Sequence, residues 1–213
     1  MTANDTAAQA GLPEGFVYVD ELIPDLTVDL KYCSADNFVG EPVDGYHRRR
    51  VIASVPAARA LVAVRDELSL FGLGLRIFDA YRPQRAVDHF IRWAANEGDT
   101  RTRDDFYPGR RKQQLFDEGY IARRSSHSRG STFDLTLEAR PECQPLDMGT
   151  AFDFFGPESW PQWADASRAQ KHNRMLLRGV MGKHGFEPHD YEWWHFTLAA
   201  EPWPETYFDF PVA

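Results

Sequence analysis

Hydrophobic residues recur at helical spacing in three places along the chain. In residues 54–74, Ala58, Leu61, Val62 and Leu68 share a face with Arg65. Ser54 is placed to cap that helix, Pro56 suits its first turn, and Gly72 and Gly74 close it. A second helix opens at Pro83, with Val87, Phe90, Ile91 and Ala94 spaced for burial, and stops near Gly98. A third covers about residues 167–184 and ends at Gly185. Between them lie strand patterns. Residues 132–137 alternate, with Phe133, Leu135 and Leu137 on one face and Thr132, Asp134 and Thr136 on the other. Residues 75–78 read as a short strand running into Asp79-Ala80-Tyr81-Arg82-Pro83. Residues 18–30 look like strand material broken at Pro24, and 191–198 like a final aromatic strand, whereas 40–50 form a loop. Strands and helices mix without regular βαβ alternation. The expectation is an α+β fold in a single compact domain, with a central, mainly antiparallel sheet flanked by helices and a site in a cleft. Residues 1–15 are expected to be frayed and 16–213 to form the domain.

Composition narrows the class. The 213 residues are 43% hydrophobic, enough for a sizeable core, so disorder as the main state is excluded. The longest unbroken apolar run, residues 60–64, falls far short of the ~18 residues of a membrane span. The first residues lack a basic region and a long apolar stretch, so a cytoplasmic location is expected. A net charge of −8 and a pI near 5.4 argue against nucleic acid as a partner. Residues 99–124 are locally basic and read as a solvated loop and helix face. After Gly185 there is no Lys or Arg, yet Glu187, Asp190, Glu192, Glu201, Glu205 and Asp209 are present. That is either a solvated acidic tail or a set of carboxylates attending a cation. Cys33 and Cys143 share no metal-binding spacing and do not make a disulfide framework.

Candidate chemistry sits in three stretches. His127 enters from the polar Ser125-Ser126-His127-Ser128-Arg129-Gly130 loop, and Asp134 follows on a strand, facing away from Phe133 and Leu135. Imidazole and carboxylate are ordinary zinc ligands, although such a pair alone is weak. In Tyr191-Glu192-Trp193-Trp194-His195-Phe196, His195 alone reads as a core histidine beside an exposed glutamate. With His127 and Asp134 it completes a His2Asp set that leaves a position open for water, the catalytic rather than the structural pattern. Glu192 is then placed to move protons. Strand residues i and i+3 face opposite ways, so for both to serve one site the backbone must kink, or Glu192 must precede the strand. One of Trp193 and Trp194 would then line the cleft. Arg82, pinned by Pro83, is a fixed cation suited to an oxyanion, or else a structural ion-pair partner. His189 is the rival ligand, although Pro188-His189-Asp190 reads as a turn.

Taken together, the chain resembles the zinc-dependent D-alanyl-D-alanine dipeptidases of bacterial vancomycin-resistance clusters and their chromosomal relatives. The resemblance is carried in order by Lys31-Tyr32, Asp36-Asn37-Phe38, Pro42-Val43-Asp44-Gly45-Tyr46, Tyr81-Arg82-Pro83 and the Ser125 to Gly130 loop. It continues through Asp134-Leu135-Thr136-Leu137, Met148-Gly149, Phe152-Asp153-Phe154, Glu192-Trp193-Trp194-His195 and Tyr207-Phe208-Asp209-Phe210-Pro211-Val212. It implies one zinc ion per chain on His127, Asp134 and His195, Glu192 as base, and Arg82 stabilising the tetrahedral intermediate. It further implies that Asp153 holds the substrate's free ammonium, with Tyr32 and Ser125 lining the pocket. The implied substrate is a small dipeptide, D-Ala-D-Ala, in glycopeptide resistance or cell-wall dipeptide turnover, with neither nucleic acid nor membrane as partner and a homo-oligomer left open. Cys33-Ser34-Ala35 and residues 138–147 depart from the family pattern. Two readings compete: a D,D-carboxypeptidase or other peptidoglycan peptidase with the same metal site, and a non-catalytic zinc-binding module.

Overall fold

The computed structural model describes residues 11–213. Of the segment expected to be frayed, residues 1–10 lie outside the described residues. Beyond them Leu12 packs on the core and the Gly15 carbonyl accepts from the Val55 N–H at 2.9 Å, so this part is held against the body of the protein.

The chain runs β1 (Phe16–Tyr18), α1 (Val19–Leu22), β2 (Thr27–Val28), β3 (Ile52–Ser54), α2 (Val55–Ser69), β4 (Leu73–Asp79) and α3 (Gln84–Ala95). It continues through α4 (Arg103–Phe106), α5 (Lys112–Asp117), β5 (Thr132–Ala139), β6 (Gln144–Pro145), α6 (Arg168–Lys183), β7 (Phe186–Pro188) and β8 (His195–Leu198). β1 and β3 form a small antiparallel ribbon. The main sheet has the spatial order β2-β4-β5-β8-β7, with β6 also pairing β5. Only β2–β4 is parallel, so the expected mainly antiparallel α+β architecture is what forms.

The long helices follow their sequence signals. Ser54 Oγ accepts from the Ala57 N–H to cap α2, and Ser167 and Gln170 cap α6 reciprocally. α2 buries Leu61, Val64 and Leu68, and α6 buries Leu177, Val180 and Met181, on the apolar sheet face of Leu75, Ile77, Phe133, Leu135 and Phe196. The opposite face of β5 is polar yet equally buried: Thr132, Asp134, Thr136 and Glu138 are all at most 2% exposed. A buried polar row needs partners. Thr132 meets Thr197 at 2.9 Å, and Glu138 meets Thr27 at 2.6 Å, Arg140 at 3.0 Å and Arg76 at 3.3 Å.

Two clamps hold the segments over that face. Buried Arg174 of α6 donates to the carbonyls of Met148 (2.7 Å), Trp160 (2.7 Å) and Glu158 (2.8 Å), pinning the loop that carries Asp153. At the C-terminus, Phe210 stacks on Tyr81 with ring centroids 4.0 Å apart, and Val212 bridges to Tyr46.

Two expectations are corrected. Residues 19–22 are helical because Val19 and Ile23, four apart, are both buried on one helical face, while the Asp20 carboxylate accepts from the Val51 N–H. The final strand begins only at His195, since residues 191–194 form a turn. The basic stretch, read as loop and helix, contains α4 and α5, the latter capped at its start by a bond from Arg111 N–H to Gln114 Oε1.

Candidate active site

β5 and its neighbours set the site's geometry. Asp134 pairs in register with His195 of β8 on one side and with Asp79 of β4 on the other. The second pairing depends on a register shift between Ile77 and Asp79. Without it Asp79, two residues after Ile77, would share that residue's core-facing side. Phe78 is the extra residue of this bulge, and it turns Asp79 onto the polar face, where it meets Asp134.

His127 arrives on a 3-10 turn, Ser126–Arg129, that precedes β5. Ser125 caps the turn by accepting from the His127 N–H at 3.3 Å. Gly130 ends it at φ 84°, and a Cβ there would lie 2.3 Å from the Phe16 ring, so only glycine fits. Glu192 lies ahead of β8. Its carbonyl accepts from the His195 N–H, closing a turn that brings Glu192 Oε2 to 3.5 Å from His195 Nδ1. Of the two arrangements the sequence required, this is the one in which the glutamate precedes the strand.

His127, Asp134 and His195 converge, with one ligand atom from each lying within 4.8 Å of the others. His127 Nε2 is 3.1 Å from Asp134 Oδ2, His195 Nδ1 is 3.1 Å from Asp134 Oδ1, and the two ring nitrogens are 3.3 Å apart. A hydrogen bond on the far side of its ring sets the tautomer of His127. His127 Nδ1 donates to the Ala80 carbonyl at 2.7 Å, and His195 Nε2 lies in hydrogen-bond contact with Ser126 Oγ at 3.2 Å. The inward nitrogen of His127 therefore presents a lone pair, and the Ser126 hydroxyl, able to accept from Nε2, is compatible with the same at His195 Nδ1. Burial holds the His195 imidazole neutral, lowering its pKa to about 4. Asp134 Oδ1 is buried and has no hydrogen-bond partner. Three lone-pair donors facing one another, one of them orphaned, fit a metal cation. His189 does not join them: its Nδ1 accepts from the Tyr191 N–H, and its ring packs 5.2 Å from that of His195.

Arg82 stands beside this group. Its Nε donates to Asp79 Oδ2 at 2.8 Å and its Nη2 to Asp134 Oδ2 at 3.4 Å, while Tyr46 donates to Asp79 Oδ1 at 2.7 Å. Asp153 adopts φ 60°, a left-handed conformation, and accepts from the Tyr32 hydroxyl at 2.8 Å. Burial foremost, then the Asp134 charge, pushes the Asp153 carboxyl well above its usual range. Glu192 is raised by burial first, then by Asp134 and Asp153. All eight residues expected from sequence line one cavity of about 470 Å3. The expectation for the tryptophans fails. Trp193 donates to Thr150 at 2.8 Å and Trp194 packs on Phe152, so both are interior and neither lines this cavity.

Sequence reasoning missed Asp79, Ser126 and the Ala80 carbonyl. Asp79 carried a signal, three residues before Arg82, but its use depends on the bulge. Ser126 and Ala80 act through contacts across the fold that no local pattern marks.

Comparison with known proteins identifies the family. A family model described as D-ala-D-ala dipeptidase, Peptidase_M15, matches residues 13–213. The D-alanyl-D-alanine dipeptidase of Streptomyces coelicolor is 44% identical over 198 residues, covering 93% of this chain and 98% of the relative. That of Enterococcus faecalis is 41% identical, covering 95% and 100%, and that of Escherichia coli K12 is 34% identical, covering 83% and 81%. Matched over nearly its whole length, the chain belongs to the D-ala-D-ala dipeptidase family and is a hydrolytic metallopeptidase.

Proposed function

We propose that this protein hydrolyses D-Ala-D-Ala to two molecules of D-alanine, with one zinc ion held by His127, Asp134 and His195. The observation that carries the reading is a charge balance. Four buried carboxylates, Asp79, Asp134, Asp153 and Glu192, face the single, largely buried guanidinium of Arg82. The excess is three negative charges in a medium where unpaired charge is costly. A divalent cation and a substrate ammonium balance it. Two imidazoles and one carboxylate with an open position match catalytic zinc.

When bound, zinc supplies Lewis acidity, polarising a carbonyl and lowering the pKa of water. The remaining work falls to side chains. Glu192 accepts a proton from the attacking water and returns it to the departing amine. Its pKa, raised by burial and neighbouring carboxylates, favours the first transfer, and a cation beside it favours the second. Arg82, fixed by Asp79, offers a guanidinium to the carbonyl oxygen as negative charge develops there. Asp153, steadied by Tyr32, receives the substrate ammonium and thereby selects a free amino terminus. Ser125 keeps the His127 turn in place at the cavity wall.

The test is zinc-reconstituted hydrolysis of the four Ala-Ala stereoisomers, followed by released alanine. Turnover of the D,D isomer is expected. Glu192→Ala should lower it by at least about a hundredfold while about one zinc per chain stays bound. Retained turnover in that variant would overturn the assignment, and comparable turnover of a D-Ala-D-Ala-terminated pentapeptide would favour a D,D-carboxypeptidase.

A further inference from the structure

A dipeptide zwitterion brings a carboxylate as well as an ammonium. Once a divalent cation and the ammonium have balanced the buried set, no net positive charge remains among the described buried residues of the cavity to offset that carboxylate. It has to be met by a cation elsewhere on the cavity wall. Asp153 and Tyr32 bound the cavity on the β4 side, where Arg82 lies 4.9 Å over the Tyr32 ring. On the β8 side the wall is made by Leu198, Ala199 and Glu201, and by Arg124 and Arg129, which both lie over Tyr207 at 5.2 and 5.9 Å. The ligands Asp134 and His195 face each other across β5 and β8, with Asp134 also paired to Asp79 of β4.

The two arginines differ. Arg129 Nε is 2.8 Å from Glu201 Oε2, in a pair whose side chains are 18% and 11% exposed, so its charge is already neutralised. Arg124 is exposed, and among the described residues no carboxylate lies within 4.0 Å of its guanidinium. Glu187 of β7 lines the same half of the cavity without pairing to either arginine. The Tyr207 ring restricts where the Arg124 guanidinium can lie. Arg124 also directly precedes Ser125, the residue that caps the His127 turn, so its backbone is tied to the metal-ligand group.

We propose that Arg124 is a specificity-determining residue that receives the substrate's C-terminal carboxylate. The proposal rests on the dipeptidase reading. A guanidinium presents paired N–H donors that match a carboxylate edge-on, a geometry a backbone amide or a chain-extending residue does not reproduce. Asp153 measures the peptide from its amino end, and Arg124 measures it from the carboxyl end, with the scissile bond between them. The class of substrate this selects is the free-acid dipeptide, in preference to C-terminal amides and peptides extended at the carboxyl end.

The experiment compares D-Ala-D-Ala with its C-terminal amide on zinc-loaded wild type, Arg124→Ala and Arg124→Lys. Wild type should prefer the acid. Arg124→Ala should raise KM for the acid about tenfold with kcat little changed, as expected for a partly solvated charge pair. It should leave the amide's kcat/KM unaltered, and Arg124→Lys should recover part of the loss. Equal losses on both substrates, or none on the acid, would overturn the role of Arg124 while the dipeptidase reading stands. Failure of wild type to cleave the acid at all would instead overturn both.

Discussion

Replacing Arg174 with Met should destabilise the protein and weaken its activity without touching the metal-ligand group. Arg174 is 3% exposed and lies on α6, with three guanidinium nitrogens within 2.7–2.8 Å of the carbonyls of Met148, Trp160 and Glu158. Burial lowers its pKa, but a guanidinium stays charged at neutral pH. Methionine fills the aliphatic stem and leaves three carbonyls without their donors. Hydrogen bonds from a charged group contribute about 1.5–3 kcal/mol each, set against the cost of burying the charge, so the net loss is about 3–5 kcal/mol. For a chain of this length that corresponds to a fall in Tm of roughly 6–20 °C. Arg174→Lys should not rescue it, because a point-like ammonium cannot reach three separated carbonyls. Because the pinned loop carries Asp153, kcat/KM on the dipeptide should fall, mostly through KM, with zinc content unchanged. Calorimetry and steady-state kinetics on the same samples test both halves. A Tm within about 2 °C of wild type would refute the reasoning, since three buried bonds to a charge could not then be net stabilising.

Two further outcomes follow from contacts elsewhere. Asp79→Asn should lower kcat by about 10–100-fold with little change in KM, because Arg82 loses its anionic anchor while the substrate-binding residues remain; steady-state kinetics with metal analysis decides this. Asp209 accepts from Arg85 Nε at 2.9 Å and from the Arg85 backbone at 2.8 Å, and the Arg85 hydrogen bond first of all holds its carboxyl below the usual range. A depressed folded-state pKa adds stability above the unfolded value near ~4, and this is lost as pH falls through the folded value. Both side chains are nearly half exposed, so the contribution is discounted to about 0.5 kcal/mol. Asp209→Asn should lower Tm by about 1–2 °C at neutral pH and by less below pH ~3, measured by melting curves across pH.

What the sequence made legible has a physical pattern. Helices marked by local signals, Ser54 and Pro56 for α2 and the Gly185 stop for α6, form where the spacing places them, because capping and burial act within a few residues. Alternation on β5 correctly separates Asp134 from Phe133 and Leu135, because the side-chain period of a strand is local too. The bulge at Phe78 was not legible, since it is a property of pairing between β4 and a strand far along the chain. Alternation misled at residues 19–22, where Val19 and Ile23 satisfy a helical period over a stretch too short for periodicity to decide. The interior placement of both Trp193 and Trp194 depends on the turn before β8, which removes these residues from the strand whose alternation would have separated them. The left-handed Asp153 gives no sequence sign, because a non-glycine residue there is sustained by surrounding contacts such as that from Tyr32.

The sheet order also bears on how the protein comes into being during synthesis. β8 is the last strand of the main sheet to be made, yet it lies inside that sheet, between β5 and β7. It brings His195, and the residues just before it bring Glu192. A ribosome that has passed β6 but not β8 therefore holds a chain in which Thr132–Asp134 of β5 lack their β8 partners and neither His195 nor Glu192 is available. Contacts this distant in sequence form late, after long loops have closed. The nascent chain is thus incapable of the chemistry until β8 has been made. Any truncation ahead of β8 removes sheet closure and catalytic competence in a single stroke.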